Sequence, residues 1–254
     1  MASCGTIAGT MIPHASTILI VWADIPVEVE SDFNDWYSNE HLPDRIGRLP
    51  GFVRGRRFAL TLEREAAPKY LTLYDLTSAE VMLSPAHVEL RKHRKPRDLK
   101  FVPLFRNTIK GICDVVGRVG EVGAGEWLVL LPVSAQSHSF TQQMTEVLLP
   151  RVSVIAGVNS ATLAMCNATV TASSSARDDR SGDRYVDGLI VVETANEVAA
   201  REAAALLTAE QLARMGGAPQ FMQKPAVFKM IHRLQATADA FTNDRNLGES
   251  VVLD

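Results

Sequence analysis

Residues 31–52 read SDFNDWYSNEHLPDRIGRLPGF, and the fold turns on how this stretch is read. At about 100° per residue, Phe33, Trp36, Tyr37, Glu40, His41 and Asp44 fall in one sector of a helix, while Ser38 and Leu42 lie outside it. An apolar face therefore runs straight into ionisable groups. Charges beside aromatics are costly to desolvate without partners, so this face is expected to border a polar-floored pocket rather than a plain core. Pro43 has no amide proton and removes the bond to the Asn39 carbonyl, which predicts a kinked or tightened turn next to Glu40 and His41.

The flanking segments supply strands. Residues 17–25 form a β-branched apolar run, and 52–60, after the Pro50-Gly51 break, form a second strand. Strand alternation puts Arg54 and Arg56 on one face of that strand and Arg57 on the other. After a polar loop at 63–68, residues 69–77 make a third strand, with Tyr70, Thr72 and Tyr74 on one side and Leu71, Leu73 and Asp75 on the other. Ser84-Pro85 opens a helix that Pro96 interrupts. Its basic run, 91–97, reads as a solvated helix end with an anion site as the lesser alternative, and His87 and His93 are expected to be exposed. Residues 107–116 read as a fourth strand, and the glycine-rich stretch 117–125 as the boundary between two domains.

Beyond that break the order repeats: strand 127–133, helix 139–155, strands 158–165 and 186–193, an alanine-rich helix 196–215 and a last strand 226–234. The helices align Phe33 on Phe140, Tyr37 on Met144 and Pro43 on Pro150, an internal duplication. The second copy inserts a Ser, Asp and Arg rich loop, 169–184, expected to be mobile; its Asp178, Asp179 and Asp183 fit no calcium-loop spacing. Each half reads β-α-β-β-α-β, an α+β pattern in which two helices cover one face of a four-stranded sheet. Two such sheets cover each other's open faces by packing together as an internal barrel. The expected organisation is an N-terminal repeat at 15–122 carrying the site, a supporting C-terminal repeat at 123–236, and a tail at 237–254.

The 254 residues carry a net charge of −3, which supplies no general attraction to nucleic acid or an anionic membrane. With no signal peptide and no apolar run long enough to span a bilayer, the expected location is cytoplasmic. Cys4, Cys113 and Cys166 are odd in number and far apart in sequence, which fits reduced thiols rather than a disulfide framework or zinc site, and no metal site is expected.

The stretch NDWYSNEHLPDRIGRLPGFVRGRRF, followed by KYLTLYDL and PLFRNTIKGICDVVG, resembles the EthD-like branch of the dimeric α/β-barrel superfamily in its tandem-repeat form. The likeness spans about residues 17–117 and centres on W(Y)xxEHxP; the second half matches in element order alone. It implies a ferredoxin-like fold and a range of chemistries: cofactor-free monooxygenases, polyketide cyclases, decarboxylases, lyases and haem enzymes. It also implies that Glu40 and His41 are the family's Glu-His pair, with Trp36 and Tyr37 as pocket neighbours.

On the repeat alignment Trp36, Glu40, His41 and Asp44 face Gln143, Val147, Leu148 and Arg151, so one half carries the chemistry. Imidazole titrates near neutrality, which makes His41 the candidate acid-base, with Glu40, Asp44 or a strand-two arginine as its partner. Phe33 and Trp36 could pack a ring, Tyr37 and Tyr74 could bind a carbonyl or enolate oxygen, and Tyr70, Arg54, Arg56 and Arg57 complete the candidate substrate set. No phosphate loop, HExxH or GxSxG occurs. The expectation is a cofactor-independent lyase, decarboxylase, cyclase or isomerase acting on a hydrophobic, aromatic or polyketide-like carbonyl compound. A cofactor-free monooxygenase and a non-catalytic small-molecule binder are the alternatives. A haem enzyme through the isolated His138 or His232 ranks lower. A homodimer is compatible with this reading, though the sequence carries no interface signature.

Overall fold

The computed structural model describes residues 15–61, 67–175 and 182–237. The tail beyond 237, Cys4, Asp178, Asp179 and most of the loop at 63–68 lie outside them. Ten strands are present among these residues: β1 Thr17–Asp24, β2 Phe52–Leu60, β3 Tyr70–Leu76, β4 Arg106–Gly120, β5 Trp127–Ala135, β6 Val158–Cys166, β7 Arg184–Tyr185, β8 Gly188–Thr194, β9 Gly217–Pro219 and β10 Ala226–Gln235. Eight of them close an antiparallel barrel in the order β1-β3-β2-β10-β5-β8-β6-β4 and back to β1, with β7 added beside β4 and β9 beside β5.

Within the barrel, β4-β1-β3-β2 and β10-β5-β8-β6 are two four-stranded ferredoxin-like sheets of the same order. Each lends an edge to the other, through β2 with β10 and β4 with β6. Closure leaves none of the eight strands with an unpaired edge, and the inner faces of the two sheets meet in one core, which supplies the second cover that one such sheet lacks alone.

The barrel interior is a single apolar core drawn from both halves, including Ile20, Trp22, Phe58, Leu73, Leu130, Leu189 and Phe228. Two further cores lie outside the barrel wall, one under the helices of each half. The helices are α1 Glu30–Trp36, α2 Pro85–Lys92, α3 Pro96–Phe101, α4 Phe140–Gln143, α5 Leu149–Ser153, α6 Ala168–Ser175, α7 Glu197–Leu206 and α8 Ala209–Arg214. None is long and apolar enough to cross a membrane.

One end of the barrel interior is ionic. Arg56, on β2, bonds Asp75 at 2.8 Å and also Glu193, and all three are buried. Asp75 ends the inward series Leu71, Leu73 on β3, and Glu193 ends Leu189, Val191 on β8, so the two carboxylates hold equivalent places in the two repeats. Burial opposes the charge on Arg56, but the two carboxylates outweigh it and raise its pKa. Arg54 lies 3.7 Å from Asp75 and donates to the Val122 carbonyl at 2.7 Å, while Glu193 accepts from the Gly123 amide at 2.6 Å. The connector between the halves is thus tied into the network.

Several local expectations change. The turn before Pro43 is widened rather than tightened: Tyr37–His41 forms a π turn closed by Leu42 N–H to the Tyr37 carbonyl at 2.9 Å. Met144–Leu148 repeats it in front of Pro150, because the missing proline N–H releases the same carbonyl in both copies. The glycine-rich stretch at 117–125 does not end β4 at once, since the strand runs on to Gly120. The alanine-rich helix divides into α7 and α8, where Thr208 caps the second segment through the Gln211 amide at 3.1 Å. Pro96 starts α3 instead of merely interrupting α2. The insertion at 169–184 takes in most of α6 and the first residue of β7.

Candidate active site

Between the outer face of the β4-β1-β3 wall and the covering helices lies a cavity of about 160 Å³. Its apolar wall includes Leu19, Val21, Met82, Leu90, Phe105 and Ile112; its polar side includes Tyr37, His41, Arg45, Tyr74 and Asp98, and His87, Arg91, Arg94 and Lys110 line it as well. Each element delivers its residues for a local reason. The π turn carries Tyr37 and His41 on its buried side. The outward alternation of β3 presents Tyr74, and Pro96 at the start of α3 sets Asp98 in the first turn.

His41 is buried against Trp36 and Tyr37, with ring centroids 4.5 and 4.6 Å away. Its Nδ1 lies 3.2 Å from Asp98 Oδ1, while Asp98 Oδ2 accepts from the Lys95 amide at 3.1 Å. Burial works to raise the Asp98 pKa, but His41, the Lys95 amide and Arg45 outweigh it and hold the carboxyl at about 2. An ionised carboxylate only accepts hydrogen bonds, so Nδ1 carries the proton and Nε2 the lone pair. Burial, then Arg45, push the His41 pKa down to about 3, partly offset by Asp98; the ring is neutral at pH 7. Nε2 has no hydrogen-bond partner among the described residues.

Beside it, the Tyr74 hydroxyl donates to the Tyr37 hydroxyl at 3.2 Å. Burial foremost, and Tyr37, raise the Tyr74 pKa well above its ordinary value, so Tyr74 keeps its proton. The Arg57 guanidinium sits 4.3 Å from the Tyr37 ring centroid and is anchored by Asn34 Oδ1 and Ser38 Oγ, both at 2.8 Å.

The residues singled out by sequence therefore divide. His41, Tyr37 and Tyr74 line the cavity. Trp36 packs behind His41 and stacks on Phe101 at 5.1 Å, and Arg57 supports Tyr37 from behind. Phe33 and Tyr70 belong to the aromatic core beneath, Tyr70 accepting from Asn34 Nδ2 at 3.0 Å. Glu40 is not the partner of His41: it points to the outer side of the helix, where Arg97 gathers Glu40, Asp35 and Asp32. Asp44 is not its partner either, being buried and bonded to Lys95 and Arg48, both at 2.7 Å. Arg54 and Arg56 belong to the barrel interior, since β2 alternates away from the helices at those positions.

Asp98, Arg45 and His87 escaped the sequence reading. Arg45 donates to the His41 carbonyl at 2.8 Å and lines the cavity. His87 is buried, with Nδ1 2.9 Å from the Met82 carbonyl, contrary to the exposure expected of it, because Ser84 caps α2 with His87 turned inward. His93, by contrast, is exposed. Pro96 with Asp98 two residues on is a helix-start signature that could have drawn attention to Asp98. Thr171 and Ser174 of α6 also line the cavity, so the second repeat completes a site built mainly by the first.

No protein-family model and no curated protein sequence matches this chain. Solved structures do match it in fold. An anthrone oxidase-like protein aligns with TM-score 0.54 and 11% identity over 87% of this chain and 93% of its own. A candidate monooxygenase from Fusobacterium nucleatum subsp. nucleatum aligns with TM-score 0.52 and 11% identity, over 87% and 95%. At these identities the likeness is one of fold.

Proposed function

We propose that the protein is a cofactor-independent acid-base enzyme acting on a hydrophobic, aromatic or polyketide-like carbonyl compound in a lyase, decarboxylase, cyclase or isomerase type of step. The observation that carries this reading is the buried His41–Asp98 pair on a largely apolar cavity, next to two hydrogen-bonded tyrosines. His41 Nε2 takes a proton from carbon next to the substrate carbonyl. The imidazolium that results keeps its Nδ1 proton, hydrogen-bonded to the Asp98 carboxylate, and the negative charge moves to the carbonyl oxygen. Tyr74 donates to Tyr37, which leaves the Tyr37 proton available to that oxygen. Before the proton moves His41 is neutral; the substrate anion and Asp98 together stabilise its charged form afterwards.

A second reading is a cofactor-free monooxygenase, in which the same substrate carbanion is trapped by dioxygen. The names of the two fold relatives, an anthrone oxidase-like protein and a candidate monooxygenase, favour keeping it. The test is turnover of a panel of aromatic and polyketide-like ketones, followed with an oxygen electrode; consumption of oxygen in step with substrate selects the second reading. His41→Ala should reduce the rate by about 10²- to 10⁴-fold, and Asp98→Asn should also reduce it, with circular dichroism unchanged. Near-parental turnover by a folded His41→Ala variant would refute the assignment, and a ligand bound but returned unchanged would mark a carrier.

A further inference from the structure

Cys113 on β4 and Cys166 on β6 are far apart in sequence but directly opposite each other in register. The Asn167 amide donates to the Ile112 carbonyl at 2.8 Å, while the Cys166 amide turns the other way, to the Asp187 carbonyl. The cysteines therefore occupy a non-hydrogen-bonded antiparallel position, where Cα atoms approach to about 4.5 Å and side chains are closest. That separation falls within the roughly 4.4–6.8 Å that disulfides bridge. Both thiols are free in this structure. Cys113 is fully buried, whereas Cys166 is partly exposed and has the Thr171 hydroxyl 3.4 Å from its sulfur.

We propose that Cys113 and Cys166 are a redox modification site, oxidised by a small peroxide to a cross-strand disulfide in the wall behind the cavity. Hydrogen bonds from Cys113 and from Thr171 lower the Cys166 pKa to about 6 against the opposing effect of burial, while Cys113 is pushed up. Cys166 is thus the attacking sulfur. Its thiolate takes one oxygen of hydrogen peroxide, the O–O bond breaks, and water leaves after protonation, giving the Cys166 sulfenic acid. The Cys113 sulfur then attacks the Cys166 sulfur, the S–O bond breaks and a second water leaves. Two thiols are oxidised and one peroxide is reduced to two waters. The change reaches the cavity through Thr171, which lines it and also accepts a hydrogen bond from the Ile112 amide at 3.1 Å.

The experiment uses the full chain with Cys4→Ser, so that two thiols remain. After graded hydrogen peroxide, free thiols are alkylated in denaturant and the protein is weighed by mass spectrometry. Both thiols should be lost together, return with dithiothreitol, and appear as one linked peptide pair in an unreduced digest. With Cys113→Ser added, oxidation should stop at a Cys166 sulfenic acid trapped by dimedone. Four results would overturn the proposal: a stable sulfenic or sulfinic acid at Cys166 while Cys113 is present, loss of one thiol alone, an intermolecular disulfide, or inert thiols under peroxide that oxidises glutathione at the same pH. None of these readouts depends on the reaction catalysed at His41.

Discussion

Replacing His41 by Gln tests the electrostatics of the site without knowledge of the substrate. In the folded protein burial holds the His41 pKa at about 3, against an ordinary value of 6.5. Between those values the unfolded chain binds a proton that the folded chain does not, so folding stability falls as pH is lowered through that window. The limiting slope is about 1.4 kcal/mol per pH unit. Integrated from pH 7 to pH 5, the two pKa values give a loss of about 2 kcal/mol from this one residue. Asp98 is depressed to about 2 and contributes at lower pH, and other histidines act equally in both proteins. The assay is urea unfolding at pH 7 and pH 5, followed by fluorescence of the buried Trp22 and Trp36. Wild type should lose about 2 kcal/mol more than His41→Gln over this interval. An equal loss in both proteins would refute the buried neutral imidazole. A smaller loss in wild type would mean that Asp98 dominates and the folded pKa is raised instead.

Arg56→Met removes the cation between Asp75 and Glu193 and leaves two buried carboxylates facing each other, which should cost about 3–5 kcal/mol in denaturant unfolding. A change below about 1 kcal/mol would show the network to be hydrated rather than buried. Gly120→Ala should destabilise by at least about 1–3 kcal/mol, because Gly120 has φ +82° and an added Cβ would lie 2.1 Å from the Asn159 carbonyl oxygen; a parental melting temperature would contradict this. Residues 15–122 expressed alone should not give a stable monomer, since the barrel core is shared with the second half and the β2 and β4 edges would be bare. Sedimentation together with a melting profile checks this, and a monomer melting like the whole chain would refute it.

The duplicated element order, the strand faces and the aromatic helix face can all be read from the sequence, because each is a local periodicity. The alternation that separates Arg56 from Arg57 sends one into the barrel and the other under the helix, as strand geometry requires. Pro43 and Pro150 likewise mark an irregular turn at the same place in both repeats, although the sequence pointed to a kinked or tightened turn and the turn is widened.

Which partner meets which residue is another matter. Glu40 is the sequence neighbour of His41, yet the widened turn sends it outward to Arg97, and a carboxylate 57 residues away takes its place. The pairing of Arg56 with Glu193, the contribution of α6 to the cavity and the meeting of Cys113 with Cys166 all depend on strands brought together by barrel closure. The sequence by itself determined the repeated β-α-β-β-α-β frame and pointed to His41, because side-chain periodicity and backbone propensity act over a few residues. Only the tertiary structure decided the partner of His41 and the walls of its pocket, because hydrogen bonds and burial act over a few ångströms regardless of the distance along the chain.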